Sequence, residues 1–251
     1  MYMSYFSYLK EYLFPSGCGC CGKALFSRAD AWFGLCADCR VYLSTAFTGE
    51  RSCGVCGRPL ISERETCIPC RKSVTAEAGL YNERVVKLKA LFPYSGMFRA
   101  VLGAYKFGKS LNVGNFLVQN LISAVEGLVV GPEIHEAAWV PVPPRPGKIK
   151  SQGWDQIAYL AGLLNREYKR SGRGIPVYPC LKRLQSRSQK ELNREDRSKN
   201  LSGRILCSKL PPRTAIIFDD VITTGATLDA CAAALLERGA GKVYGVCLFF
   251  D

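Results

Sequence analysis

Residues 214–227 read TAIIFDDVITTGAT and carry the clearest structural signal in the chain. The apolar run at residues 215–218 predicts a buried strand of a parallel sheet, and two acids follow it. Residues 228–238 have an apolar helical pattern, and residues 242–250 predict the next strand. A loop of small residues between such a strand and helix is typical of a doubly wound α/β sheet with parallel strands.

The loop itself, residues 223–227, has the chemistry of a phosphate site. Backbone N–H groups at a helix N-terminus, together with threonine hydroxyls, form a cradle for an anion. Asp219 and Asp220 would repel phosphate, but they suit vicinal hydroxyls or Mg²⁺. The pattern therefore predicts a sugar phosphate as ligand. The alternative is that the two acids only cap the helix, which leaves the threonine run without a role.

Nine of the 13 cysteines lie between residues 18 and 70, mostly in C-x-x-C pairs. Two such turns supply the four sulfurs of a tetrahedral zinc site, so the pattern predicts two structural zinc ions. The predicted ligands are Cys18, Cys21, Cys36, Cys39, Cys53, Cys56, Cys67 and Cys70. The simplest pairing puts the first two turns on one ion and the last two on the other, with a crossed pairing as the alternative. Cys20 is interpreted as a bystander.

A disulfide framework is the competing interpretation of these cysteines, and a redox C-x-x-C is possible for one pair. Disulfides need an oxidising compartment, and the start of the chain lacks the pattern of a secretory signal. We therefore expect a cytoplasmic protein. No apolar run approaches the roughly 18 residues that a membrane span needs. The single histidine excludes zinc catalysis by a histidine cluster.

Length and composition predict two units. The chain has 251 residues, of which 48% are apolar and 22% are charged, as expected of a globular protein. A change in composition near residue 75 divides a Cys- and Gly-rich segment, residues 1–75, from a segment with alternating strand and helix patterns, residues 76–251. The first is too small for a sizeable core, so metal sites would stabilise it.

Positive charge is concentrated in the middle of the chain. Residues 141–213 contain 17 Lys and Arg against 5 Asp and Glu, whereas the whole chain has a net charge of +13. Such a segment favours contact with nucleic-acid phosphates. The candidate contacts are Arg187, Lys190, Arg194 and Arg197. The alternative is that this stretch is an ordinary solvated face.

Several motifs together resemble a known family. Residues 218–227 resemble the phosphoribosyl pyrophosphate motif of type I phosphoribosyltransferases. Upstream stand Tyr94-Ser-Gly, Tyr105-Lys-Phe-Gly, the Pro-Val-Pro loop at 141–143, and Gln189 with Leu192, Arg197 and Asn200 at the spacing of a longer pattern. In this order, after paired C-x-x-C turns, they resemble the ComF family of bacterial competence proteins, including its GntX-like members.

The resemblance implies a role for each group of residues. Asp219 and Asp220 would hold the ribose hydroxyls at the catalytic centre, with Mg²⁺ bound alongside phosphoribosyl pyrophosphate. The remaining substrate contacts implied are Thr223, Thr224, Gly225, Ala226 and Thr227 for the 5-phosphate, and Pro143, Arg145, Gln152 and Gly153 towards the pyrophosphate. The family pattern has Arg and Asn where this chain has Gln152 and Asp155. We expect this change to weaken pyrophosphate binding unless Lys148 or Lys150 compensates.

Three functions remain open from the sequence. The ComF resemblance implies a role in DNA uptake during natural transformation, through single-stranded DNA in the cytoplasm and competence or DNA-processing partners. The chain is alternatively an active phosphoribosyltransferase of nucleotide metabolism or salvage, whose acceptor the sequence does not reveal. The third possibility is a scaffold that contacts partners through its zinc ribbons without catalysis.

Overall fold

The computed structural model describes residues 16–45, 53, 60, 62–68, 71, 84–129, 131–172, 174–184 and 204–251. The helices are α1 (Arg28–Phe33), α2 (Ala37–Thr45), α3 (Gly96–Lys106), α4 (Val113–Glu126), α5 (Lys148–Gln152), α6 (Gln156–Ser171) and α7 (Ala226–Glu237). The strands are β1 (Lys87–Pro93), β2 (Ala137–Pro141), β3 (Leu181–Arg183), β4 (Ile205–Cys207), β5 (Thr214–Ile222) and β6 (Lys242–Phe250). A short 3₁₀ helix, Gly131–Glu136, precedes β2.

Four of these strands form one parallel sheet in the order β1–β6–β5–β2. The two central strands are buried along nearly their whole length, which is why they contain runs of β-branched and aromatic residues. β5 extends past the predicted apolar run and includes the two acids, because the ladder to β6 continues through Asp219 opposite Cys247 and Val221 opposite Phe249. The acids therefore lie in the last part of the strand rather than after it.

Helices cover both faces of this sheet. Ile216 and Phe218 of β5 join the buried cluster that includes the apolar sides of α4 and α6. Ala215 and Ile217, which point the opposite way, join a second cluster with α7. The antiparallel pair β3–β4 packs on the same side as α7. The predicted α/β architecture, a doubly wound parallel sheet, is therefore confirmed.

The first cysteine segment packs directly against the α/β part of the chain. Leu35 and Leu43 belong to the same buried cluster as α4, and Asn115 donates a side-chain hydrogen bond of 2.7 Å to the carbonyl of Trp32. Gly34 ends α1 with a φ of +62°, and a Cβ there would lie 2.9 Å from the backbone nitrogen of Val113. Glycine is required here both by the backbone conformation and by the close approach. The predicted boundary between residues 75 and 76 falls outside the described residues and stays a prediction.

Capping residues set the ends of α6. The Asp155 side chain accepts a hydrogen bond from the N–H of Ala158 and so caps α6, which ends at Gly172 in the left-handed conformation. Across the described ranges, none of the helices has the length and apolar character needed to cross a bilayer.

Candidate functional site

A cleft of about 690 Å³ opens at the carboxyl ends of β2 and β5. The carboxyl edge of a parallel sheet is where ligands bind in open α/β folds, because loops from neighbouring strands converge there. The cleft is lined by the proline-rich loop after β2, by α5 and the start of α6, by the end of β5 and its loop, and by two basic residues from elsewhere, Lys106 and Arg183.

The structure brings together only some of the predicted substrate residues. Those lining the cleft are Pro143, Arg145, Gln152, Asp219, Asp220, Thr223 and Thr227. Gly153, Thr224, Gly225 and Ala226 are adjacent to them in the chain but do not line the cleft. The four predicted nucleic-acid contacts, Arg187, Lys190, Arg194 and Arg197, lie outside the described residues, as do Cys56 and Cys70.

The threonine loop leads from β5 into α7 at the edge of the cleft. Gly225, with a φ of +76°, precedes the first turn of the helix. The N–H of Ala226 donates to the Oγ1 of Thr224 at 3.4 Å, whereas Thr223 and Thr227 line the cleft. A 12-residue helix that starts beside two threonines supplies a positive dipole end and polar side chains, as an anion requires.

Asp220 is buried and already has two partners. Its Oδ2 lies 2.8 Å from the Nζ of Lys106 and accepts a hydrogen bond of 2.6 Å from the Nε2 of Gln156. No hydrogen bond from the described part of the chain reaches its Oδ1, so that oxygen is the one available to a ligand. Lys106 of α3 thus holds the Asp220 carboxylate through an ion pair, and Gln156 of α6 holds it through a hydrogen bond.

Asp219 has a different environment on the same strand. Its Oδ1 accepts the backbone N–H of Asp220 at 2.8 Å. Burial and the neighbouring charge of Asp220 raise the pKa of Asp219 to about 8, and together they outweigh that hydrogen bond and the charge of Lys106. At pH 7 the carboxyl group is therefore largely protonated in the ligand-free protein. A ligand that needs its anionic form must release this proton.

A chain of polar contacts continues from Asp220 to Asp155. Gln156 also accepts a hydrogen bond from Lys148, and the Nζ of Lys148 lies 2.7 Å from the Oδ2 of Asp155. The Tyr105 hydroxyl donates to the backbone carbonyl of Gln156 at 2.7 Å, which fixes the start of α6. The network joins two lysines, two aspartates and one glutamine, and its charges balance.

This network changes the interpretation of Asp155. We expected an acid at this position to repel a bound pyrophosphate. One Asp155 oxygen instead caps α6, the other pairs with Lys148, and the residue is buried. Asp155 thus acts on the site by holding Lys148, which we had considered as compensation for the missing arginine. Trp154 packs edge-on against Tyr105, with the ring centroids 5.3 Å apart.

Sequence reasoning gave no role to Lys106, Gln156 or Arg183, although all three line the cleft. Lys106 belongs to the Tyr105-Lys-Phe-Gly motif and Gln156 directly follows Asp155, but the sequence indicated no function for either residue. Arg183 is the last residue of the short strand β3 and belongs to none of the motifs named above. Nothing in the sequence pattern indicated that β3 would reach the phosphate loop.

The first two C-x-x-C turns form a four-sulfur cluster. Ligand atoms of Cys18, Cys21, Cys36 and Cys39 all lie within 4.8 Å of one another, and the Sγ atoms of Cys21 and Cys36 are 3.8 Å apart. A tetrahedron with Zn–S bonds of about 2.3 Å has edges of about 3.8 Å, so the spacing is compatible with zinc. The simplest pairing of these two turns is consistent with this geometry.

Backbone donors also favour metal-bound thiolates in this cluster. The N–H of Cys36 points to the Sγ of Cys18 at 3.3 Å. Burial alone would raise the pKa of Cys18, but hydrogen bonds from the backbone of Cys21, Cys36 and Cys20 lower it to about 7. Burial raises the pKa of Cys39 instead, so its thiol keeps its proton until a cation replaces it.

The second pair of turns is described only at Cys53 and Cys67. Both are buried, and the N–H of Cys67 points to the Sγ of Cys53 at 3.4 Å. This contact has the same form as the one between Cys36 and Cys18 in the first cluster. Cys20 lies beside the first cluster, with its Sγ 3.8 Å from the carbonyl oxygen of Met97. It is not among the four clustered ligands.

Comparison with known proteins identifies relatives that match most of the chain rather than one motif. No protein-family model matches the sequence. The competence protein ComFC of Streptococcus pneumoniae strain R6 is 24% identical over 210 residues, which cover 83% of this chain and 84% of that protein. The competence protein ComFC of Bacillus subtilis strain 168 is 28% identical over 210 residues, which cover 82% of this chain and 79% of that protein. These two matches confirm the predicted relationship of the chain to the ComF family of competence proteins.

Proposed function

We propose that the chain binds phosphoribosyl pyrophosphate in this cleft and supports DNA uptake by contacting single-stranded DNA in the bacterial cytoplasm. The observation that carries the first part is the convergence of Asp219, Asp220, Thr223, Thr227 and Arg145 on one cleft. Hydroxyl-binding acids beside a threonine cradle and a cation suit a ribose with phosphates at both ends. The second part is supported by the names of the two relatives, both competence proteins.

Each residue has a definite task in this proposal. The loop at 223–227 takes the 5-phosphate, and the free oxygens of the aspartates accept hydrogen bonds from the ribose hydroxyls. Bound Mg²⁺ would supply positive charge to the pyrophosphate oxygens, a role that suits an ion usually held by few carboxylates and by substrate phosphates. The acids fit such an ion poorly as sole ligands, because Lys106 already neutralises Asp220.

Calorimetric titration with phosphoribosyl pyrophosphate and Mg²⁺ tests the first part. We expect saturable binding to the wild-type protein. Binding should be at least tenfold weaker in Thr227→Val, which keeps the shape of the side chain but removes one hydroxyl from the cradle; a lost hydrogen bond to a charged group costs about 1.5–3 kcal/mol. Asp229→Asn is the control, because Asp229 is on the same helix and pairs with Arg84 away from the cleft. Absence of binding to the wild-type protein would refute this part of the proposal.

Transferase activity is a separate question with a separate measurement. It requires charge stabilisation on the departing pyrophosphate and an acceptor in the same cleft. Pyrophosphate release in the presence of candidate acceptors measures it directly. Binding of phosphoribosyl pyrophosphate without release of pyrophosphate would favour a sensor or scaffold with a phosphoribosyltransferase-like fold.

Fluorescence anisotropy with a labelled oligonucleotide tests the DNA part. We expect binding of single-stranded DNA whose affinity falls steeply between 50 and 200 mM salt, by about tenfold or more if several phosphates are contacted. Neutralising Arg187, Lys190, Arg194 and Arg197 together should reduce both the affinity and the salt dependence. Replacement of Arg166, Lys169 and Arg170 on α6, which removes three positive charges, is the control for loss of charge as such. Salt-insensitive binding, or none, would contradict this part.

A further inference from the structure

Two arginines in the cleft, Arg145 and Arg183, form no ion pair within the described part of the chain. Arg183 ends β3 with its side chain half-buried at the cleft, and Arg145 lies on the loop after β2. Neither guanidinium forms a hydrogen bond or ion pair with a side chain in the ranges that the structure covers. A half-buried guanidinium without such a bond has lost hydration that a bound anion can replace.

The other charges of the cleft are already balanced. Lys106 pairs with Asp220, and Lys148 pairs with Asp155. Asp219, whose carboxyl group is largely protonated at pH 7, adds little negative charge. The positive charge that remains for a ligand is therefore that of Arg145 and Arg183.

These two arginines also affect each other. Burial and the positive charge of Arg145 lower the pKa of Arg183, and together they outweigh the opposing effects of Cys231 and Asp219. Two like charges that face one cavity repel each other until an anion lies between them. An arginine pair can donate several parallel hydrogen bonds to phosphate oxygens, which a lysine pair cannot match in geometry.

The cleft thus has two anion sites, and these sites differ in the positive charge that they offer to a ligand. The threonine loop offers neutral donors and a helix dipole, which suit one phosphate monoester. The arginine pair offers two full charges, which suit a more highly charged group. Gln152, which stands where the ComF pattern has arginine, is neutral, so it cannot supply this charge.

We propose that Arg183, together with Arg145, binds the pyrophosphate group of the ligand and supplies the positive charge that Gln152 lacks. This inference rests on the proposed function for the identity of the whole ligand, but the arginine pair can be tested with inorganic pyrophosphate alone. β3 pairs with β4 and packs against α7, so a packed pair of antiparallel strands presents the Arg183 guanidinium to the cleft. The pyrophosphate site is then built from β3 as well as from the loop after β2.

The test uses the full chain and two separate probes, inorganic pyrophosphate and ribose 5-phosphate, each titrated by calorimetry. We expect Arg183→Gln to weaken pyrophosphate binding at least tenfold and ribose 5-phosphate binding less than twofold. Arg183→Lys, which keeps the charge but loses the bidentate geometry, should have an intermediate affinity for pyrophosphate. Lys182→Gln is the matched control, because Lys182 is the exposed neighbour on the same strand. Thermal unfolding of each variant checks that β3 remains folded.

The possible results separate this inference from the proposed function. Unchanged pyrophosphate affinity in Arg183→Gln would overturn the inference, and so would an equal loss of both probes or no binding of pyrophosphate to the wild-type protein. Pyrophosphate binding that depends on Arg183, in a protein that does not bind ribose 5-phosphate, would support the inference and contradict the proposed sugar-phosphate ligand. If Arg183→Gln does not fold, the ratio of the two affinities in Arg183→Lys decides, because only the pyrophosphate affinity should fall.

Discussion

The Cys39→Ser variant is expected to bind one zinc ion fewer per chain than the wild-type protein and to unfold at a clearly lower temperature. Cys39 is buried in the four-sulfur cluster of the first two C-x-x-C turns. Serine is a poor zinc ligand, and three sulfurs do not complete a tetrahedral structural site. Since metal binding to such a site contributes directly to folding, the free energy of unfolding should fall by about 2–5 kcal/mol.

The loss should extend beyond the cysteine segment, because this segment is part of the main core. Cys18, Cys36 and Cys39 belong to the same buried cluster as Leu117 and Leu121 of α4. If the cluster opens, the contact of Gly34 with Val113 and the hydrogen bond from Asn115 to Trp32 should be lost together. Hydrogen exchange should therefore become faster in α4 as well as in α1 and α2.

Zinc content by elemental analysis and thermal unfolding of the same sample provide the measurements. Cys20→Ser is the matched control, because Cys20 lies in the same turn but is not among the four clustered ligands. It should retain the wild-type zinc content. Equal zinc content and equal stability in Cys39→Ser and the wild-type protein would show that the cluster is not a structural metal site.

The neighbouring variants Asp219→Asn and Asp220→Asn are expected to change stability in opposite directions at pH 9. Burial and the charge of Asp220 raise the pKa of Asp219 to about 8, so at pH 9 this carboxyl group is ionised in an environment that disfavours its charge. A neutral amide removes that unfavourable charge and should raise the free energy of unfolding by about 1–3 kcal/mol, a value reduced to allow for partial solvent exposure. Asp220→Asn instead leaves Lys106 without its carboxylate partner and should lower it by about 2–4 kcal/mol.

The pH dependence gives this prediction a definite sign. The pKa of Asp219 is about 8 in the folded protein and 3.8 for an ordinary aspartate, so the folded state binds the extra proton between these values. The contribution of this group to stability is complete below pH 4 and is lost as the pH rises through 8. Asp219→Asn should therefore match the wild-type protein near pH 4 and exceed it in stability at pH 9.

Urea unfolding of the ligand-free proteins at pH 4, 7 and 9 measures both effects. Asp229→Asn is the control for loss of one negative charge, because its ion pair with Arg84 is solvent-exposed and should contribute less than about 1 kcal/mol. A stabilisation in Asp219→Asn that is the same at pH 4 and pH 9 would contradict the proposed origin. So would a loss of stability in Asp219→Asn at pH 9.

The strand–loop–helix unit at the phosphate loop could be predicted from sequence because its signals are local. The apolar run of β5, the threonine loop and the apolar face of α7 follow one another within 24 residues, and each has its own period or turn chemistry. β6 was predicted with its observed bounds for the same reason. The end of β5 was less well predicted, because the length of a strand is set by its neighbours in the sheet, and β6 continues beside both acids.

The fold class, the cysteine spacing and the threonine loop could be inferred from the sequence, since each depends on residues that are close together in the chain. Tertiary structure decided which charges meet in the cleft. Lys106, Gln156 and Arg183 come from three separate elements, and Gln156 reaches Asp220 across 64 positions of the chain. The pairing of Lys148 with Asp155, and the lack of an ion pair at Arg183 among the described residues, depend on how distant parts of the chain pack together. Charges act through space, so the number and type of basic residues indicated an anionic ligand, and the packing selected the arginines available to bind it.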